Sequence, residues 1–157
     1  MNYTIYCDLD GVLADFAKGY EELTGIDTRT RFVKDNEKFW APVNDAGAMF
    51  WATLDWMSDG QQLWRYIKKY KPYILSAPSL NISSSIGKKA WIKIHIPNSI
   101  DRLLLYPRHE KQRFAAPNHI LIDDLEKTII EWREKGGIGI HHTSAINTIT
   151  QLKKLGL

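Results

Sequence analysis

The chain predicts a three-layer α/β fold, a parallel sheet covered by helices, with a small helical cap inserted after the first strand. Two features of the 157 residues carry this prediction. From about residue 60 onward, short β-rich runs alternate with stretches of helical periodicity. Strands that are apolar almost throughout belong to parallel sheets covered on both faces. Before that point, the segment from Asp15 to Gly60 breaks the alternation and is too long for a loop in a domain of this size. The expected organisation is a core of residues 1–14 and 61–157, with residues 15–60 as the cap.

Tyr3 to Asp8 is rich in β-formers and reads as the first strand. Leu63, Ile67 and Tyr70 recur at helical spacing between Gln61 and Lys71, and Pro72 stops that helix. Tyr73 to Ser76 is a second strand. Ser83 has the character of an N-cap, and Ile86, Ala90 and Ile94 form a four-residue helical stripe that ends before Pro97. Leu103 to Tyr106 and His119 to Ile122 are two further apolar runs. Leu125, Ile129 and Trp132 mark a helix closed by Gly136 and Gly137. Ile138 to His142 is the fifth strand, and Ile146, Ile149 and Leu152 stripe the last helix. Ligands of such sheets bind beyond the carboxyl ends of the strands, so Asp8, Ser76 and Asp123 are expected side by side at one rim.

Composition narrows the function classes. Apolar residues at 44% and charged residues at 25% allow a packed core and argue against disorder and fibrous classes. The formal net charge of +3 suits a protein handling phosphate-bearing ligands but is too small for coating nucleic acid. Cys7 is the only cysteine, which excludes a disulfide framework and a multi-cysteine metal site. No apolar run approaches the roughly 20 residues of a membrane span, and no signal-peptide pattern opens the chain. A cytoplasmic location is the expectation.

Asp8-Leu9-Asp10-Gly11 follows the first strand directly, and Asp123-Asp124 ends another strand in the same way. Two acids at i and i+2 with Gly11 behind them suggest a tight turn that presents both at the rim. Like charges crowded there oppose one another's ionisation. A hard divalent cation resolves the conflict, and oxygen-only ligands select magnesium over zinc. Two solvated turns are the alternative for either pair alone.

Residues 8–16, Asp-Leu-Asp-Gly-Val-Leu-Ala-Asp-Phe, resemble the first motif of the haloacid dehalogenase (HAD) phosphatases, and in detail the 5′(3′)-deoxyribonucleotidases. Ile74 to Ser79 resembles that family's second motif, Tyr106 to Lys111 the segment bearing its third-motif lysine, and Leu121 to Asp124 its fourth motif. The resemblance implies a Rossmann-like HAD core and phosphoryl transfer through an aspartyl-phosphate. Asp8 would attack phosphorus. Asp10 would protonate the leaving alkoxide and then activate water. Ser76 would hydrogen-bond a phosphoryl oxygen, and Lys111 would set positive charge beside it. Magnesium would be held by the Asp8 carboxylate, the Asp10 backbone carbonyl and Asp123, with Asp124 alongside. Lys88, Lys89 and Arg113 compete with Lys111 for its role. Lys88-Lys-Ala-Trp91 resembles the family's Lys-x-x-Trp helix, in which a lysine approaches the phosphate.

Four of the six tryptophans, Trp40, Trp51, Trp56 and Trp64, lie close together in the sequence. Aromatic faces stack nucleobases, although a small cap also uses tryptophan to build its own core. By the same resemblance, Phe16 would pack on the base, Phe39 and Trp40 would line its pocket, Trp51 would follow them, and Ala77 would sit beside the phosphate. His141-His142 reads as a sheet-end pair, because no third ligand at zinc spacing accompanies it. Arg102, Arg108, Lys111 and Arg113 form either an anion-attracting cluster or a solvated basic face.

The leading expectation is a magnesium-dependent phosphomonoesterase acting on (deoxy)nucleoside monophosphates. Its competitors are a HAD phosphatase for a polynucleotide 3′-phosphate or a sugar phosphate, and a non-catalytic nucleotide-binding protein on the same scaffold. The expected partners are a small nucleotide substrate and a second copy in a homodimer, with no stable nucleic-acid or membrane partner.

Overall fold

Ile5, Cys7, Ile74, Ile120, Ile122 and Ile140 turn one way from their strands, and Tyr6, Leu75 and Leu121 turn the other. Both sets are buried, which is the two-sided burial that a covered parallel sheet demands. The computed structural model describes residues 2–28 and 37–157. Its strands are β1 (Thr4–Cys7), β2 (Tyr73–Ser76), β3 (Leu103–Leu105), β4 (His119–Asp123) and β5 (Ile138–His141). They pair in parallel in the order β3-β2-β1-β4-β5. The helices are α1 (Phe16–Thr24), α2 (Glu37–Ala46), α3 (Ala48–Ala52), α4 (Gly60–Ile67), α5 (Ile82–His95), α6 (Glu126–Glu134) and α7 (Ala145–Lys154). None of the described helices is long and apolar enough to cross a membrane.

Leu63 and Ile67 of α4, Trp91 and Ile92 of α5 and Leu152 of α7 pack on one sheet face. Ile129 and Trp132 of α6 cover the other. The α/β class and the three layers are therefore as the sequence predicts. Between β1 and α4 the chain forms α1 to α3, and residues 29–36 of this segment lie outside the described residues. The two ends of the segment are stitched together: the Asp15 N–H donates to Asp55 O at 2.8 Å, and Ala14 bridges Trp56. Phe16, Tyr20, Phe39, Phe50 and Trp51 join the same apolar cluster as the sheet.

Four local expectations are corrected. The cap of α5 is Asn81, whose side chain accepts from the Ser83 N–H, so Ser83 lies inside the helix. The stripe of α5 faces outward, with Ile86 55% and Ile94 63% exposed, while Ser84, Gly87, Lys88, Trp91 and Ile92 are buried. Leu125 precedes α6 and is exposed, with Thr128 taking the buried place. Ile146 of α7 is exposed as well, and Ala145 and Thr148 pack inward beside Leu152. In each helix a small or hydroxylated residue faces in, and in α5 the close approach of α3 at Gly87 leaves no room for a longer side chain there.

Gly87 is the tightest such contact. A Cβ built there would overlap Ala48 O and Trp51 Cβ of α3. A Gly87→Val variant is expected to lose about 1–3 kcal/mol by overpacking. That corresponds to a melting point lower by about 2–4 °C per kcal/mol in a domain of this size. Unchanged thermal and urea midpoints would rule out the close α3–α5 contact.

Candidate active site

Register builds the rim. Cys7 pairs with Ile122 across β1 and β4, so the next residues, Asp8 and Asp123, leave the sheet side by side. The Asp8 N–H donates to Ile122 O at 2.9 Å and continues the ladder past the strand end. On the other side of β1, Cys7 pairs with Ile74, which sets Ser76 at the same end of β2. After Asp8 the chain closes a compact turn, in which the N–H groups of Leu13 and Ala14 both donate to Leu9 O, at 2.8 and 2.9 Å. Gly11 sits at φ +80°, a left-handed conformation natural to glycine, and a Cβ there would overlap the Asp124 carboxylate. Leu9, Val12, Leu13 and Ala14 are buried beneath. The turn therefore has an apolar underside and an acidic lip.

Two buried lysines hold the acids. The Lys111 ammonium, 3% exposed, lies 3.0 Å from Asp8 Oδ1 and donates to Asp123 Oδ2 at 2.7 Å. Asp123 Oδ1 accepts from the Leu125 N–H at 2.9 Å. Burial alone would lower the Lys111 pKa, but the carboxylates of Asp8 and Asp123 outweigh it and hold the ammonium above its ordinary range. Burial and the neighbouring Asp8 charge push the Asp123 carboxyl up to about 6, against the lowering effect of Lys111. The second lysine, Lys88, ion-pairs with Asp10 Oδ2 and donates to Ser76 Oγ at 2.9 Å.

The carboxylates of Asp8, Asp123 and Asp124 offer oxygens that all lie within 4.8 Å of one another. Three hard oxygen donors, two of them buried, fit a magnesium-sized cation. The Asp10 side chain is turned away from this group toward Lys88, so only its backbone carbonyl is left for the metal role.

These acids open into a cleft of about 1470 Å³ whose walls include Phe16, Trp40, Trp51, Ser76, Ala77, Arg108 and Lys111. Phe16 stands at the centre of the aromatic wall, with the rings of Tyr20, Phe39, Trp40, Phe50 and Trp51 at 5.4–6.2 Å. Two residues expected to face substrate do not line the cleft. Phe39 is buried behind it, stacked on Tyr20 with ring centres 4.4 Å apart. Lys88 is enclosed behind Asp10 and Ser76, with its ammonium over the Trp51 ring at 4.8 Å. The basic cluster also divides. Arg108 reaches the cleft while paired with Glu131 at 2.7 Å. Arg113 pairs with Glu110, and Arg102 donates to Lys71 O at 2.9 Å. His142 is buried with its Nδ1 2.7 Å from Thr148 Oγ1, and burial lowers its pKa. It is the sheet-end residue that its spacing suggested.

Cleft residues that sequence reasoning passed over include Asn44, Asp45 and Asn81. Isolated polar residues on a helix and in a loop carry no periodic or motif signal that could have singled them out.

Among solved structures, the chain is similar to a hydrolase from Streptococcus pneumoniae TIGR4, with a TM-score of 0.59 and 15% identity over 98% of this chain and 100% of that one. It also matches the HAD domain of effector protein Lem4 from Legionella pneumophila, an inactive mutant, at a TM-score of 0.46 and 16% identity, covering 99% and 93% of the two chains. No protein-family model and no curated protein sequence matches. At 15% identity the first likeness is one of fold. It agrees with the parallel five-stranded α/β sheet described above.

Two predictions follow from this geometry. Lys111→Met leaves Asp8 and Asp123 facing each other without their shared cation. In chelator it is expected to lose about 3 kcal/mol or more of stability, part of which magnesium restores, as read by urea unfolding with and without the ion. Magnesium affinity should also fall as pH drops through about 6, the pKa to which Asp123 is pushed, because below that value a proton competes for the same oxygens. Titration calorimetry at pH 7.5 and 5.0 checks this, and equal affinities would remove Asp123 from the ligand set.

Proposed function

We propose that the chain is a HAD-type, magnesium-dependent phosphomonoesterase that dephosphorylates (deoxy)nucleoside monophosphates through an aspartyl-phosphate. The observation that carries this reading is one cleft with Asp8, Asp10, Ser76, Lys111 and Asp123 at its floor and Phe16, Trp40 and Trp51 in its wall. The floor suits a phosphoryl group, and the wall suits a flat, apolar ring.

Asp8 is the nucleophile, buried enough to be poorly hydrated yet lining the cleft. Lys111 neutralises Asp8 and Asp123 and puts positive charge beside the entering phosphoryl oxygens. Asp10 lines the cleft, and its Oδ1 is buried with no hydrogen-bond partner among the described residues; in this reading it gives a proton to the leaving oxygen and later takes one from water. Magnesium bound by Asp8, Asp123 and Asp124 would supply charge neutralisation for the phosphate ester. Splitting hydrolysis between a carboxylate nucleophile and a reused acid–base group needs no further nucleophile or base.

The small-molecule substrate is favoured over a polynucleotide by Asp15, Glu37 and Asp45 in the cleft wall, since carboxylates there repel further phosphates. A non-catalytic binding role has no use for both Asp8 and Asp10.

The test is phosphate release from 5′- and 3′-, ribo- and deoxyribonucleoside monophosphates, a sugar phosphate and a 3′-phosphorylated oligonucleotide. Preference for the nucleoside monophosphates is expected, with activity abolished by chelator and reduced by about 10⁴-fold or more in Asp8→Asn, the loss of a nucleophile. Full activity in Asp8→Asn would end the aspartyl-phosphate mechanism. Release only from the oligonucleotide or sugar phosphate would end the nucleotidase reading.

A further inference from the structure

Lys88 is the buried charge that the steps above leave without a task. It is 1% exposed in the middle of α5 and is not part of the cleft wall. Its ammonium has three neighbours: Asp10 Oδ2, Ser76 Oγ at 2.9 Å and the face of the Trp51 ring at 4.8 Å. The backbone holds it there. Gly87, the preceding residue, packs closely against Ala48 and Trp51 of α3, which fixes the face of α5 that carries the lysine inward. A lysine enclosed in this way does not reach a substrate; it acts on the two groups it holds, and both of these line the cleft.

Each contact settles a direction. With Oδ2 of Asp10 engaged by the ammonium, Oδ1, buried and without a partner among the described residues, is the oxygen left to carry the proton. An ammonium has donors only, so Ser76 Oγ accepts from Lys88 and its own O–H must donate elsewhere.

We propose that Lys88 is a positioning residue for leaving-group protonation, aiming Asp10 Oδ1 and the Ser76 O–H at the phosphate ester. The inference rests on the phosphatase reading. In the first step an Asp8 oxygen bonds to phosphorus and the bond from phosphorus to the ester oxygen breaks. That oxygen leaves with the electron pair and takes the proton from Asp10 Oδ1. In the second step Asp10 Oδ1 takes a proton from water as the water oxygen bonds to phosphorus. The bond to Asp8 breaks, releasing inorganic phosphate and returning the proton to Asp10.

Leaving-group dependence tests this. An alkyl phosphate, such as a nucleoside monophosphate, needs the proton in the first step, whereas 4-nitrophenyl phosphate leaves as a stable phenolate without it. The full chain is prepared as wild type and Lys88→Met, with circular dichroism and magnesium binding as checks on folding. On the alkyl ester, kcat is expected to fall about 100-fold, the scale of lost general-acid catalysis. KM should stay within about threefold, since binding contacts are kept. On the aryl ester, Lys88→Met should still release one equivalent of 4-nitrophenolate in a fast burst and then stall, because only the second step needs Asp10. Equal slowing of the first turnover on both esters, or a raised KM with kcat unchanged, would overturn the positioning role and leave the phosphatase reading standing. A wild type inert on both esters overturns that reading and this inference together. For a Lys88→Met chain that does not fold, the double variant Asp10→Asn, Lys88→Met removes both charges at once and is compared with Asp10→Asn. Equal rates support the proposal, and a further loss of about 100-fold refutes it.

Discussion

Carboxylates at the ends of neighbouring parallel strands repel one another, and in this chain Asp8 and Asp123 emerge side by side where little water reaches them. With oxygens within 4.8 Å, two unit charges at an effective dielectric near 20 repel by about 3 kcal/mol. Much of the surrounding structure answers that repulsion. Lys111 reaches between the two acids from the turn after β3, and the Leu125 N–H caps the far oxygen of Asp123. Gly11 lets the chain turn so that Asp124 can approach from the solvent side. The arrangement depends on a cation among the acids, and Lys111 takes that place.

The aromatic wall answers a different constraint. The segment between β1 and α4 packs into the same apolar cluster as the sheet and also walls the cleft. Phe16 does both, because it lies among five rings while one edge faces the cleft. Phe39 stacks on Tyr20 and accepts the Tyr20 O–H at its carbonyl at 3.0 Å, backing the wall without joining it. At Gly87 the wall is anchored to the core, and there Trp51 comes to rest over Lys88. The aromatic wall and the Asp10 and Ser76 side chains held by Lys88 are thus joined where α3 meets α5.

The order of strands and helices could be read from the sequence because the strands are largely apolar over their short lengths, and two-sided burial requires that. The rim was readable for the same reason: Asp8, Ser76 and Asp123 each end an apolar run, and in a parallel sheet every such end points the same way. The outward stripe of α5 was misread because Ile86, Ala90 and Ile94 form a regular apolar pattern, while the side that packs inward carries Gly87, Ser84 and a lysine. Hydrophobic periodicity ranks side chains by transfer energy and has no means of seeing that two backbones meet too closely for an isoleucine to fit between them.

The sequence by itself determined the class of fold, the acidic strand ends and the kinds of side chain available to the cleft, because these depend on local propensity and on a two-residue period. Tertiary structure alone decided which lysine serves which acid. Lys88 and Lys111 are both plausible partners on paper; pairing Lys88 with Asp10 and Ser76, and Lys111 with Asp8 and Asp123, follows from the rotation of α5 about its axis and from the 3-10 turn Arg108–Phe114 beyond β3. Those are long-range packing outcomes. A charge is held by whatever lies within a few ångströms of it in space, and neighbours along the chain do not report that distance.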